Sequence, residues 1–145
     1  MSQTSRTHVK FLTSAVGLYA ELRRQGYNFF VGVPCSGLKP FINDLAADKE
    51  LPFIPAPRED VALAMAAGAA MAGRKPLVYL QSSGLGHLVN AITSLLKPYG
   101  LSVHLLISLR TQPFEHFEMH RVALPLLELL EYDDYTIVEE RACDA

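Results

Sequence analysis

Phe53-Ile54-Pro55-Ala56-Pro57-Arg58-Glu59-Asp60 runs into a stretch made largely of alanine, Val61 to Arg74, and Pro76-Leu77-Val78-Tyr79-Leu80-Gln81 follows at once. The first four residues read as a short strand. Glu59 to Ala72 reads as a helix, because alanine has the lowest helical cost, with Gly73 as its C′ residue, and Leu77 to Gln81 reads as the next strand. Parallel strands need a crossover of about a dozen residues, and a helix of this length supplies it. Glu59 therefore falls where an apolar strand passes into an apolar helix, a position that carries binding chemistry in parallel α/β proteins.

The alternation continues outward from this unit. On the amino-terminal side, Phe11, Ala15, Leu18 and Leu22, with Leu12, Val16 and Tyr19, repeat at helical spacing and stop at Gln25-Gly26. That pattern predicts a helix from about Thr7 to Gln25. Asn28 to Val33 predicts a strand ended by Pro34, and Leu38 to Asp48 a second helix. On the carboxyl-terminal side the expected elements are a helix over Leu88 to Leu96, a long strand over Leu101 to Leu109 buried on both faces, a helix over Val122 to Glu131 and a last strand over Tyr135 to Val138. The expected fold class is α/β, a three-layer, doubly wound, mainly parallel sheet with helices on both faces, forming one domain over residues 1–145.

Half of the 145 residues are hydrophobic and 19% are charged, a globular composition without low-complexity tracts. The net charge of −2 comes with evenly spread Lys and Arg, so no basic stripe exists to neutralise a nucleic-acid backbone. Cys35 and Cys143 give neither a disulfide framework nor metal-ligand spacing. The first ten residues lack the apolar core of a signal peptide, and no apolar run approaches the ~20 residues of a membrane span. The chain reads as cytoplasmic, with neither nucleic acid nor membrane as partner.

Four loops are expected at the carboxyl ends of the strands: Pro34 to Gly37, Pro57 to Asp60, Ser82 to His87, and Arg110 to His120. An acid in the first turn of a helix is favoured by the macrodipole without any further role, and Asp60 would serve that purpose as well as Glu59. What raises Glu59 is its closeness to a buried alanine-rich helix, since partial desolvation suits a carboxyl group to proton exchange near neutrality. Gly84-Leu85-Gly86 is not a dinucleotide fingerprint, because Val89 stands at the third glycine position and no acid follows at the required distance. Its glycines let the backbone approach a ligand or pack tightly beneath one. Ser36, Ser82 and Ser83 lack a nucleophile elbow and read as helix-start caps, while Cys35 beside Pro34 in an exposed turn is either a reactive thiol or an inert small hydrophobe. Arg110-Thr111-Gln112-Pro113-Phe114-Glu115-His116-Phe117-Glu118-Met119-His120 is either a solvated loop or an anion-binding or proton-transfer loop. His116 and His120 would share a face if it were helical.

Taken in order, Gly32-Val33-Pro34-Cys35-Ser36-Gly37-Leu38-Lys39, Pro57-Arg58-Glu59-Asp60 and Leu80-Gln81-Ser82-Ser83-Gly84-Leu85-Gly86-His87-Leu88-Val89-Asn90-Ala91-Ile92 resemble a known family. It is the pyrimidine-binding domain of the thiamine diphosphate decarboxylases acting on 3-sulfopyruvate and 3-phosphonopyruvate, and the likeness spans about Phe11 to Val138. The resemblance implies that Glu59 hydrogen-bonds the N1′ atom of the cofactor's aminopyrimidine. It also implies that Gln81, Ser82, Ser83, Gly84, Leu85, Gly86 and His87 pack near the cofactor ring, and that Cys35 and Ser36 border the substrate pocket. Arg110 is expected to pair with a sulfonate or phosphonate, and His116 and His120 lie in a loop that carries proton-transfer histidines in related decarboxylases.

The family pattern often reads Gln-Asn-Ser-Gly-Leu-Gly-Asn, whereas this chain has Ser82 for the first Asn and His87 for the last. Relatives commonly continue into a closing helix beyond the position of Ala145. Family members hold the diphosphate through a magnesium ion bound by a Gly-Asp-Gly…Asn motif on a separate domain, and no Gly-Asp-Gly occurs in this sequence. The resemblance thus implies the α subunit of a split decarboxylase. Its β subunit would carry the diphosphate-binding domain and the Mg2+ ligands in an α2β2 assembly, and its substrate would be a small anionic 2-oxo acid. The rival reading is a non-catalytic α/β binding or regulatory subunit that keeps the fold, with a hydrolase using Ser82 or Cys35 third. Sulfonate against phosphonate is left open by the sequence.

Overall fold

Every strand pairing in the computed structural model, which describes residues 9–139, is parallel. The strands are β1 (Lys10–Leu12), β2 (Phe29–Gly32), β3 (Ile54–Pro55), β4 (Pro76–Gln81), β5 (His104–Leu109) and β6 (Tyr135–Glu139). They lie in one six-stranded sheet in the order β1-β6-β5-β4-β2-β3. The helices are α1 (Leu18–Arg24), α2 (Lys39–Ala47), α3 (Glu59–Met71), α4 (Val89–Ala91), α5 (Lys97–Tyr99) and α6 (Phe117–Leu129). Three 3-10 turns, Ser36–Leu38, Ser82–Leu88 and Phe114–His116, precede α2, α4 and α6, and a wider π turn, Ile92–Leu96, joins α4 to α5. Among the described residues no helix is long and apolar enough to cross a membrane.

Side chains alternate across a strand, and here both sets are apolar because both faces are covered. On β4, Val78 and Leu80 enter the core shared with Ala62, Leu63 and Ala66 of α3 and with Ile92 and Leu127. Leu77 and Tyr79 enter the core on the opposite face, with Leu18 and Leu22 of α1 and Phe41 and Leu45 of α2. β5 divides in the same way, Leu105, Ile107 and Leu109 to the first core and Leu106 to the second. The three-layer, doubly wound expectation is met.

The chain leaves β2 through α2 on one face and leaves the neighbouring β4 through α4 and α5 on the other, so the switch point lies between β2 and β4. Tyr79 fixes this junction. Its ring crosses Gly32, where a Cβ would lie 2.0 Å from the Tyr79 carbonyl oxygen and 2.6 Å from its Cδ2, and its hydroxyl donates to the Ile54 carbonyl at 3.1 Å. One tyrosine thereby ties β4 to β3 over the glycine of β2.

The principal correction concerns the first helix. Phe11 and Leu12, assigned to it by their spacing, belong to strand β1, in register with Ile137 and Val138 of β6, and α1 begins only at Leu18. Thr7, the expected helix start, lies outside the described residues, as do Cys143 and the chain's end at Ala145. The expected helix over Leu88 to Leu96 is wound differently at each end, tight from Ser82 and wide from Ile92. The strand expected from Leu101 starts at His104, and the helix expected from Val122 starts at Phe117.

Candidate functional site

Arg58 is extended (φ −151°, ψ 157°), and Glu59 is the first residue of α3, so the chain turns at the acid. The Arg58 guanidinium forks onto the Asp60 carboxylate at 3.2 and 2.9 Å. Asp60 thus takes the exposed charge pairing at this helix start, and Glu59 points inward with 8% of its surface exposed. The burial expected of Glu59 from its position is present.

What receives the carboxylate is the 3-10 turn Ser82–Leu88. Three residues per turn place positions i and i+3 on one edge, so Gly84 and His87 both meet α3. A Cβ on Gly84 would lie 2.2 Å from Glu59 Oε1 and 2.3 Å from its Cδ, which only glycine avoids. The other oxygen, Oε2, lies 2.8 Å from His87 Nδ1, and the His87 side chain is 53% exposed. Leu85 and Leu88, on the remaining face of the turn, are fully buried in the core. Gly86 has open space at its Cβ position. The tight packing expected of the glycines belongs to Gly84, and the surface beneath which it packs is Glu59 itself.

A second cluster stands over β5. The Arg110 backbone N–H donates to Ser82 Oγ at 3.3 Å, and Arg110 Nη1 donates to Gln81 Oε1 at 3.3 Å. Gly37 closes the cluster from β2's side, since a Cβ there would lie 2.0 Å from Ser108 Oγ. Cys35 is half-buried against the second core rather than exposed. Burial pushes its thiol up, outweighing hydrogen bonds with Leu38, Ser108 and Gly37 and the Arg110 charge. Ser36 and Ser82 open their turns without capping them through their side chains; Ser82 reaches across to Arg110 instead.

The 110–120 segment is not a single loop. His116 precedes α6, and His120, inside α6, has its Nε2 3.1 Å from Glu139 Oε1 at the end of β6. His120 therefore meets the end of β6, while Glu59, Gly84 and His87 form one contact group and Gln81, Ser82 and Arg110 another. Ser83 lies half-buried in the turn, in sequence between Ser82 of one group and Gly84 of the other. Sequence reasoning missed the Glu59–His87 and Gln81–Arg110 contacts. The signal for the first was the three-residue spacing of Gly84 and His87, visible once the segment is read as a 3-10 turn rather than a loop.

A carboxylate withdrawn from water at a strand-to-helix junction, packed on a glycine turn near the switch point of a parallel sheet, defines a cofactor-binding α/β domain. Residues 12–123 match the family described as "Thiamine pyrophosphate enzyme, N-terminal TPP binding domain", and the chain belongs to that family. It is 34% identical over 128 residues to "Sulfopyruvate decarboxylase subunit alpha" of Methanocaldococcus jannaschii, covering 86% of this chain and 76% of the relative. The protein of the same name from Methanococcus maripaludis is 36% identical over 99 residues, covering 68% of this chain and 59% of that one. "Phosphonopyruvate decarboxylase" of Streptomyces viridochromogenes is 34% identical over 127 residues, which is 84% of this chain and 32% of the relative. The chain thus spans about a third of the phosphonopyruvate enzyme and between 59% and 76% of these two sulfopyruvate α subunits.

Proposed function

We propose that this chain is the pyrimidine-binding α subunit of a cytoplasmic thiamine diphosphate-dependent decarboxylase. It would convert a small anionic 2-oxo acid, 3-sulfopyruvate or 3-phosphonopyruvate, to the corresponding acetaldehyde and carbon dioxide. The observation that carries the reading is the Glu59 carboxylate, buried on Gly84 with its second oxygen on His87. The residues present fit the pyrimidine end of thiamine diphosphate: a largely buried acid beside a turn without a side chain at Gly84. Family membership and relatives named as decarboxylases support the same choice.

When bound, thiamine diphosphate supplies a thiazolium ring that accepts the electron pair released with carbon dioxide. In this reading Glu59 holds a hydrogen bond to the aminopyrimidine N1′ and exchanges a proton there. The Gln81 to His87 turn packs beside the ring, with Ser82, Ser83, Gly84 and Gly86 supplying its wall and Leu85 anchoring it in the core. Arg110, anchored through its backbone on Ser82, turns a planar guanidinium toward the substrate's sulfonate or phosphonate, next to Cys35 and Ser36. His116 and His120 act as proton-transfer groups. The diphosphate and Mg2+ are held by a β subunit in an α2β2 assembly. The "subunit alpha" names of the sulfopyruvate relatives support a second polypeptide.

The test is reconstitution of the full chain with the candidate β subunit, thiamine diphosphate and Mg2+. The pair is expected to release carbon dioxide from 3-sulfopyruvate or 3-phosphonopyruvate, and the chain alone to release none. Glu59→Gln, folded and assembled, slows exchange of the cofactor C2 proton by about 100-fold or more. Unchanged exchange removes Glu59 from the chemistry, and no substrate-dependent carbon dioxide from the assembled pair selects the non-catalytic subunit instead.

A further inference from the structure

We propose that His87 is the proton conduit of Glu59, a positioning residue that links the buried carboxylate to solvent; this rests on the role of Glu59 given above. The carboxylate is largely buried, and one of its oxygens lies on an exposed imidazole. Oε1 is packed on Gly84, and Oε2 lies 2.8 Å from His87 Nδ1. The Glu59 side chain is 10% exposed and that of His87 53%, so the imidazole bridges the dry side of the turn and the wet side. The charged groups beside the pair on α3, Arg58 and Asp60, are engaged with each other at 2.9 Å. Among the described residues, His87 is the ionisable group paired with Glu59.

Imidazole can relay a proton because its two nitrogens act at once. With neutral His87 donating from Nδ1 to the carboxylate, a proton from solvent bonds to Nε2 while the Nδ1 proton passes to Glu59 Oε2. One N–H bond and one O–H bond of a solvent hydronium break, one N–H and one O–H bond form, water is left behind, and the ring is neutral as the Nε2–H tautomer beside a neutral carboxylic acid. The reverse sequence returns the proton to solvent. The asparagine often found at this position in the family pattern can hold the carboxylate through its amide but cannot pass a proton through. His87→Asn therefore separates holding from relaying.

Two measurements test this. In the full chain labelled with 15N, long-range nitrogen–proton spectra of neutral His87 are expected to show the Nδ1–H tautomer, and Glu59→Ala to return it to the Nε2–H form that unrestrained imidazoles favour. An Nε2–H tautomer in the unaltered chain, indifferent to Glu59→Ala, overturns the proposal. In the assembled complex with thiamine diphosphate and Mg2+, His87→Asn is expected to slow C2 proton exchange about tenfold or more, and added imidazole to restore the rate of His87→Ala. If Glu59→Gln slows exchange while His87→Asn leaves it at full rate, the relay is overturned and Glu59 keeps its role. If neither variant changes it, both readings fall.

Discussion

Replacing Gly84 by alanine isolates the contact on which the site is built. The added Cβ would lie 2.2, 2.3 and 2.5 Å from Glu59 Oε1, Cδ and Cγ, so all three clashes fall on one side chain. The backbone at Gly84 is outside the positive-φ region, which leaves no conformational penalty to confuse with the steric one. Overpacking of this kind costs about 1–3 kcal/mol. Displacing the carboxylate from half-exposed His87 adds under ~1 kcal/mol, because solvent screens that pair. The expected loss is therefore roughly 2–3 kcal/mol, read as a lower midpoint in urea unfolding at unchanged slope.

Glu59→Ala removes Cγ, Cδ and the carboxylate, and with them the three nearest atoms the new methyl group meets. In that background Gly84→Ala should cost less than about 0.5 kcal/mol, which makes the coupling in the double-mutant cycle on the order of 2 kcal/mol. Gly86→Ala, in open space two residues away, is the control. Additivity of the two single changes within ~0.5 kcal/mol would mean that Gly84 and Glu59 do not touch, and the site as described would be wrong.

Gly32→Ala is expected to be far worse, about 4 kcal/mol or loss of soluble protein, because its Cβ would meet the Tyr79 backbone carbonyl at 2.0 Å, which cannot swing aside; a normal unfolding midpoint refutes this. Gly68→Ala, inside α3 with nothing within 4 Å, is expected to stabilise the chain by about 0.5–1 kcal/mol, and a fall in the urea midpoint would contradict the free space seen there. Burial and the Asp134 charge push the Tyr27 hydroxyl up to about 12, and burial raises Tyr79 further. Because the folded values exceed the ordinary value of 10, this stability is complete below pH 10 and is lost as pH climbs toward and past 12. Tyrosinate absorbance followed against pH should therefore lag behind that of the urea-unfolded chain, and coincident curves would argue against buried hydroxyls.

The parts of the fold legible in the sequence were those decided locally. α3 declared itself through its alanines and Gly73, and β4 and β5 through short apolar runs whose two faces are both covered. β1 was misread because Phe11 and Leu12 satisfy a helical period, and what makes them a strand is β6, almost a chain length away. The same limit governed the site. Glu59 was found from its junction, whereas its contacts with Gly84 and His87 depend on a tight turn packing on a helix that starts some twenty-five residues earlier. The helix expected over Leu88 to Leu96 lies where it was placed, but its winding changes along it, which residue spacing at a fixed 3.6 period does not register.

The edge strand β1 carries a consequence for folding, because it meets the sheet only through β6. Lys10 to Leu12 come far earlier in the sequence than their mates, Thr136 to Val138. Until β6 is in place the β1 segment has no strand to lie against, so this border is a contact of high sequence separation. A truncation removing Tyr135 to Glu139 would therefore strip two strands for the loss of one, leaving β5 as a raw border open to pairing with other chains.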